Sequence, residues 1–183
     1  NTARGGNGGS STDAQPAANG GSGFGAGIFN RNGSVTVVNA TLAFNTVAGG
    51  TGTTPGATAG GAIYNYQSGG TATLTLLNSI LSNTVSGNDC TNNAGTVVAP
   101  ASNKNLIIAN SGCGMPAVTS DPMLGPLQNN GGPTFTHALL AGSPALDLGD
   151  NLVTGAPYNL TTDQRGSGFP RNLIRSFGII VGG

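Results

Sequence analysis

Glutamate and tryptophan are both absent from this 183-residue chain, which has one histidine, a single lysine (Lys104) and only 7% charged residues. Each shortage excludes a class of function. Six Lys and Arg residues are scattered through a chain of zero net charge, so no basic stripe exists to neutralise phosphates, and nucleic acid is excluded as a partner. Two cysteines and one histidine cannot fill the four positions of a structural zinc site. The acids are Asp13, Asp89, Asp121, Asp147, Asp150 and Asp163, none of them between residues 25 and 85. Paired-carboxylate glycoside hydrolysis needs two acids about 5 to 10 Å apart, and a calcium-dependent lyase needs an acidic cluster with a base. The sequence offers neither cluster. No apolar run approaches the roughly 20 residues of a membrane helix, and too few strands are visible for a membrane barrel. Helix formers are also scarce, and no segment carries a 3.6-residue apolar stripe. The expectation is an all-β protein without enzyme activity, cofactor, metal or membrane insertion.

What the chain has instead is repetition. Gly25-Ala26-Gly27-Ile28-Phe29-Asn30 returns as Gly60-Gly61-Ala62-Ile63-Tyr64-Asn65, an offset of 35. Val35-Thr36-Val37-Val38-Asn39-Ala40-Thr41-Leu42 returns as Leu74-Thr75-Leu76-Leu77-Asn78-Ser79-Ile80-Leu81, an offset of 39. Both copies run on into Asn45-Thr46-Val47 and Asn83-Thr84-Val85. Short β-branched strands separated by Gly and Asn corners at this period are the pattern of a parallel β-helix, a β-solenoid whose units bury apolar faces only against neighbours. A degenerate third copy is expected at Thr96-Val97-Val98 and Asn105-Leu106-Ile107-Ile108. Residues 49–59 read as an extra loop. Residues 1–24 alone would be a disordered leader, but Gly5-Gly6-Asn7-Gly8-Gly9 also matches the tail of a coil, as if the chain starts mid-coil. The division expected is coils over 1–115 and a Pro-rich, irregular cap with an apolar terminal strand over 116–183.

The recurring asparagines need no ligand, because Asn tolerates left-handed corners and stacked side-chain amides can bond along the repeat axis. The expected stacks are Asn39 over Asn78 and Asn45 over Asn83. Cys90 and Cys113 lie 23 residues apart in turn-rich sequence. One disulfide, worth about 3 kcal/mol, is the economical reading in an oxidising compartment; two buried thiols are its rival. His137 reads as part of a packed cap segment rather than a general base, Asp147 and Asp150 as turn formers, and Asp163-Gln164-Arg165 as a local salt-bridge element. Asn32-Gly33-Ser34, Asn39-Ala40-Thr41 and Asn159-Leu160-Thr161 fit the glycosylation pattern, and the Thr/Ser-rich loops suit O-linked sugar.

The segment from Asp121-Pro122-Met123-Leu124-Gly125-Pro126-Leu127-Gln128-Asn129-Asn130-Gly131-Gly132-Pro133 to Phe135-Thr136-His137-Ala138-Leu139-Leu140 is distinctive. So are Gly142-Ser143-Pro144-Ala145-Leu146-Asp147-Leu148-Gly149-Asp150, Thr162-Asp163-Gln164-Arg165-Gly166 and Phe169-Pro170-Arg171. Together they closely resemble the C-terminal region of the choice-of-anchor Q group, bacterial secreted proteins with a right-handed parallel β-helix. That resemblance covers nearly the whole chain and implies a fold and an extracellular or cell-surface location, not a reaction. The departure is at the end. Members close on an acidic strand, whereas this chain has Ser176-Phe177-Gly178-Ile179-Ile180-Val181-Gly182-Gly183.

These features set the functional expectation. The chain reads as a non-enzymatic structural subunit that stacks head to tail into a filament or surface layer, its main partner another copy of itself. Phe24, Ile28, Phe29, Phe177, Ile179, Ile180 and Val181 are the candidate assembly interface. An adhesin binding glycans through residues 49–59 or Tyr64 and Tyr66 is the alternative, and a polysaccharide lyase or hydrolase fragment the third reading.

Overall fold

The structure is a computed structural model that describes residues 1–10, 17–98 and 104–171. Its organisation is a chain that returns to the same parallel sheets on each pass. The first pass supplies β1 (Thr2–Arg4) and β2 (Gly23–Phe24). The second supplies β3 (Ile28–Arg31), β4 (Ser34–Val38), β5 (Thr41–Ala43), β6 (Thr46–Ala48) and β7 (Thr58–Ala59). The third supplies β8 (Ile63–Tyr66), β9 (Thr73–Leu77) and β10 (Ile80–Ser82). The fourth holds β11 (Cys90–Asn93), β12 (Thr96–Val98) and β13 (Leu106–Ile107), and β14 (Asn110–Ser111) follows. Three sheets result, in the orders β14-β11-β8-β3, β12-β9-β4 and β13-β10-β5, all parallel.

Register follows the repeat. Ile28 is level with Ile63 and Val35 with Leu74, reproducing the two sequence offsets. Alternation then decides which side chains face in. Val35 and Val37 on β4, and Leu74 and Leu76 on β9, point inward with period two, while Ser34, Thr36, Thr73 and Thr75 occupy the other face. The inward residues of all three sheets meet in one cluster of Val37, Ala62, Ile63, Leu74, Leu76, Leu81, Cys90, Ile107 and Cys113. Ile63, Leu74 and Leu81 are fully buried there. Each fully buried Leu or Ile contributes about 2 kcal/mol of transfer free energy.

The glycine-rich first residues are not a leader hanging free. β1 pairs in parallel with β6, and β2 with β7. Between them the backbone is stitched to residues 48–57: Gly5 N–H donates to Ala48 O at 2.8 Å, Gly50 N–H to Gly21 O at 2.8 Å and Gly56 N–H to Gly50 O at 3.0 Å. Residues 49–59 are thus a layer level with residues 17–24 rather than a loop outside the repeat. Glycine is required here for close approach. A Cβ on Gly50 would sit on the Gly6 carbonyl oxygen, and one on Gly56 on the Gly21 carbonyl oxygen.

The repeat also continues past residue 115, through a parallel bridge between Leu106 and Val118. Two compact units are separable: Asn1–Leu124 with Leu139–Gly149, and Gly125–Ala138 with the described residues from Asp150. β15 (Leu124–Gln128) and β16 (Thr136–Leu139) form a two-stranded sheet, and a 3-10 turn spans Asn151–Thr154.

Candidate functional site

Among the described residues, β3, β4 and β5, of 4, 5 and 3 residues, stand at one end of the strand stack of the first unit, each paired with one neighbour. β1 and β2 cover β6 and β7 but stop short of this stretch. At the other end β13 is followed by a further layer, with Leu106 bridged in parallel to Val118 and Ile107 N–H donating to Val118 O at 3.0 Å.

Of the residues expected at an assembly interface, Ile28 is half-buried against the core, and Phe29 on β3 is 48% exposed. Phe24 is half-buried, its ring stacked on Tyr64 with centroids 4.5 Å apart. Phe29 stacks on the same ring at 5.6 Å. Phe177, Ile179, Ile180 and Val181 lie outside the described residues. The stacking also bears on sugar recognition. Tyr64 is 5% exposed, ring contacts on both sides occupy it, and its hydroxyl accepts from Asn93 Nδ2 at 2.8 Å. A buried ring of this kind offers no platform for a glycan.

The asparagines divide into two kinds. Asn39 and Asn78 are level at equivalent corners, with φ of 51° and 50°. Asn39 Nδ2, however, is buried with no hydrogen-bond partner. Asn45 is not level with Asn83. Ala43 pairs with Ser82, and Thr46 bridges Val85, which sets Asn83 opposite Phe44 and Asn45 opposite Thr84. The amide partner of Asn45 is Asn1, whose Nδ2 donates to Asn45 Oδ1 at 3.3 Å. A continuous amide ladder stands elsewhere. Asn30 Nδ2 donates to Asn65 Oδ1 at 2.6 Å, Asn65 Nδ2 to Asn92 Oδ1 at 2.8 Å, and Asn92 Nδ2 to Gly95 O at 2.7 Å. Its signal in the sequence was the Asn that closes each Ile-Phe/Tyr-Asn element.

Cys90 and Cys113 form a disulfide, both ends buried, Cα atoms 6.1 Å apart. Beside it, Asp89 is 2% exposed and serves as a backbone clamp, accepting from Thr84 N–H at 2.8 Å and Ala109 N–H at 2.9 Å. Asp150 caps the 3-10 turn by accepting from Leu152 N–H, and Asp147 occupies a left-handed corner at φ 55°. In the second unit His137 Nδ1–H donates to Gly125 O at 2.7 Å. There Arg165 also pairs with Asp163 at 2.7 Å and lies 3.9 Å over the Phe169 ring. Burial pushes the Asp163 carboxyl up, but hydrogen bonds and charge from Arg165 outweigh it and hold the group below its ordinary value. Among the described residues no three His, Cys, Asp or Glu side chains gather as a metal set. No helix there is long and apolar enough to cross a membrane.

Of the three glycosylation patterns, Asn32 is tied to the Ser68 backbone through both Nδ2 and Oδ1, at 2.6 and 2.7 Å. Asn39 Nδ2 is buried, and Asn159 is exposed at a corner. Comparison of the chain with protein-family models, curated proteins and solved structures finds no match.

Proposed function

We propose that this chain is a bacterial extracellular structural protein, a right-handed parallel β-helix subunit that assembles head to tail into a filament or surface layer without enzymatic activity. The observation that carries this reading is the stacking of successive coils in register across three parallel sheets, an architecture whose units bury their faces only against neighbours along one axis. A contact between two different surfaces of identical subunits on such an axis propagates into an open filament. Three parallel sheets around one apolar cluster support the β-helix, and the sequence resemblance to choice-of-anchor Q proteins supports its hand and its location. The buried disulfide fits an oxidising, extracellular compartment.

Negative-stain electron microscopy of the full chain at neutral pH tests the proposal, with a Cys90→Ala/Cys113→Ala control. Filaments or sheets with an axial repeat of one subunit are expected. Discrete, monodisperse particles across a concentration series would overturn self-assembly as the function.

A further inference from the structure

One cavity of the first unit, of about 170 Å³, lies at the Asn39 and Asn78 corners. The coils supply one wall, and the segment Leu139–Gly149, which returns to the same compact unit, supplies the other. Ile80, Leu106, Leu139 and Leu148 make the lining largely apolar, Asn39, Asn78 and Lys104 bring polar groups to it, and no acid is among its residues.

Both walls are fixed from behind. Asn105, 3% exposed, accepts from Ser79 N–H at 3.0 Å and donates to Leu76 O at 3.0 Å, which anchors the backbone next to Lys104. Across the cavity, buried Ser143 donates to Pro122 O at 2.6 Å and accepts from Ala145 N–H at 3.2 Å, which sets the turn leading to Leu148. Asn39 carries a second, independent observation. Its Nδ2 is buried with no hydrogen-bond partner, at a φ of 51° that glycine would adopt with no amide to desolvate. The χ2 torsion of Asn is soft, so an acceptor inside the cavity can draw Nδ2 round to it.

We propose that this cavity binds a small monocarboxylate, with its alkyl tail against the four apolar side chains and its carboxylate between Asn39 Nδ2 and the Lys104 ammonium. Size follows from volume. An engineered cavity of about 150 Å³ holds one benzene, so a guest of about six or seven heavy atoms fits here. Charge follows from the polar groups. Lys104 is the chain's single lysine and is exposed, so its ammonium stands in reach of solvent and draws an anion. With no acid in the lining, the ammonium of a free amino acid would find no counter-charge. Apolar walls with a few convergent polar groups are the usual make-up of a small-molecule site. Binding here needs no assembly of the subunit.

The test is a titration of the full chain with sodium butyrate, followed by proton–nitrogen correlation NMR against sodium chloride at matched ionic strength. Saturable shifts centred on Asn39, Asn78 and Lys104 are expected, with a Kd on the order of 1 mM. Lys104→Met and Asn39→Gly should each weaken binding about tenfold, and Asn39→Gly should do so with its thermal unfolding unchanged. Gly149→Val leaves every polar group in place and puts its Cβ 3.8 Å from the Asn78 amide, filling the cavity, and should abolish the shifts. Butan-1-ol, which keeps the tail without the charge, should bind about tenfold more weakly than butyrate. No saturable shift with butyrate would overturn the site. Equal binding of butanol would overturn the carboxylate assignment. Unchanged butyrate affinity in Lys104→Met or Gly149→Val would place the anion elsewhere and overturn the proposal.

Discussion

Asn30 and Asn65 stand level on adjacent parallel strands, and the Nδ2 of the first donates to the Oδ1 of the second at 2.6 Å with both side chains buried. A primary amide carries two donors and two acceptor sites, so an Asn in this position satisfies the layer above and the layer below at once. Asn65 is the middle rung, since its own Nδ2 passes the pattern to Asn92.

Substituting Asn65→Leu strands the Asn92 acceptor and removes an acceptor from Asn30, so a loss of about 2 kcal/mol is expected in urea denaturation. Asn30 is partly rescued, because Gly33 O and Thr73 O lie within reach of its Nδ2. Asn39→Gly is the contrast. Asn39 Nδ2 bonds to nothing and its φ is 51°, so this variant is expected to stay within about 0.5 kcal/mol of the parent. Equal losses at both sites would mean that the ladder carries no special weight.

Two glycines separate close approach from backbone conformation. Gly50→Ala drives a methyl into the Gly6 carbonyl, a backbone atom that cannot rotate away, and a loss of about 3 kcal/mol is expected. Gly69→Ala meets nothing within 4 Å and pays only for φ of 72°, about 1 kcal/mol. Thermal unfolding of the two variants side by side measures the difference. A Gly50→Ala protein as stable as the parent would show that the glycine layer is loosely packed.

The parts of this fold that were legible in the sequence are those written in side chains. Val35 and Val37 with Leu74 and Leu76 declare two strands and their inward face, and the Ile-Phe/Tyr-Asn element declares a third. The Asn45 to Asn83 match misled because residue identity repeats at 38 while the hydrogen-bond register runs at 39; one residue of slip moves a side chain to another column. The Asn30 ladder is hard to read from the sequence for the opposite reason. Ile28 and Asn30 share one face by period two, as do Ile63 and Asn65, yet polar residues at strand ends are usually read as corners. The layer formed by residues 5–9, 17–22 and 49–57 is held by main-chain contacts, which leave no apolar signature, so its composition resembled disorder.

The disulfide closes a separation of 23 residues between two buried cysteines of the core cluster. Chain entropy assigns it about 3 kcal/mol, most of it exerted on the unfolded state. Both cysteines are buried, so reduction under native conditions should be slow, and denaturation with and without reductant should differ by about that amount. The Cys90→Ala/Cys113→Ala variant adds a packing loss, because both sulfurs are buried, and is expected to fall below the reduced protein. If reductant leaves the midpoint unchanged, the loop between β11 and β14 is already ordered in the unfolded chain.

In the second unit the prediction concerns pH. Arg165 holds Asp163 through a 2.7 Å ion pair, and the carboxyl lies below its ordinary value although burial alone would raise it. A group depressed in the folded state contributes stability that is complete above its unfolded value and is lost as pH falls through its folded value. The contribution therefore persists at neutral pH and disappears in acid, below about pH 4. Both side chains are about a third exposed, 32% and 33%, so solvent screens the pair and its share stays under about 1 kcal/mol. Arg165→Leu should return the Asp163 carboxyl upward and remove that acid-sensitive increment, and it also deletes the cation over the Phe169 ring. Arg165→Lys keeps the charge but loses the planar fork, so it should recover only part of the depression. Carbon-detected NMR titration of Asp163 in the three proteins reads these shifts directly. An Asp163 titration that is identical in all three would show that the pair does not persist in solution.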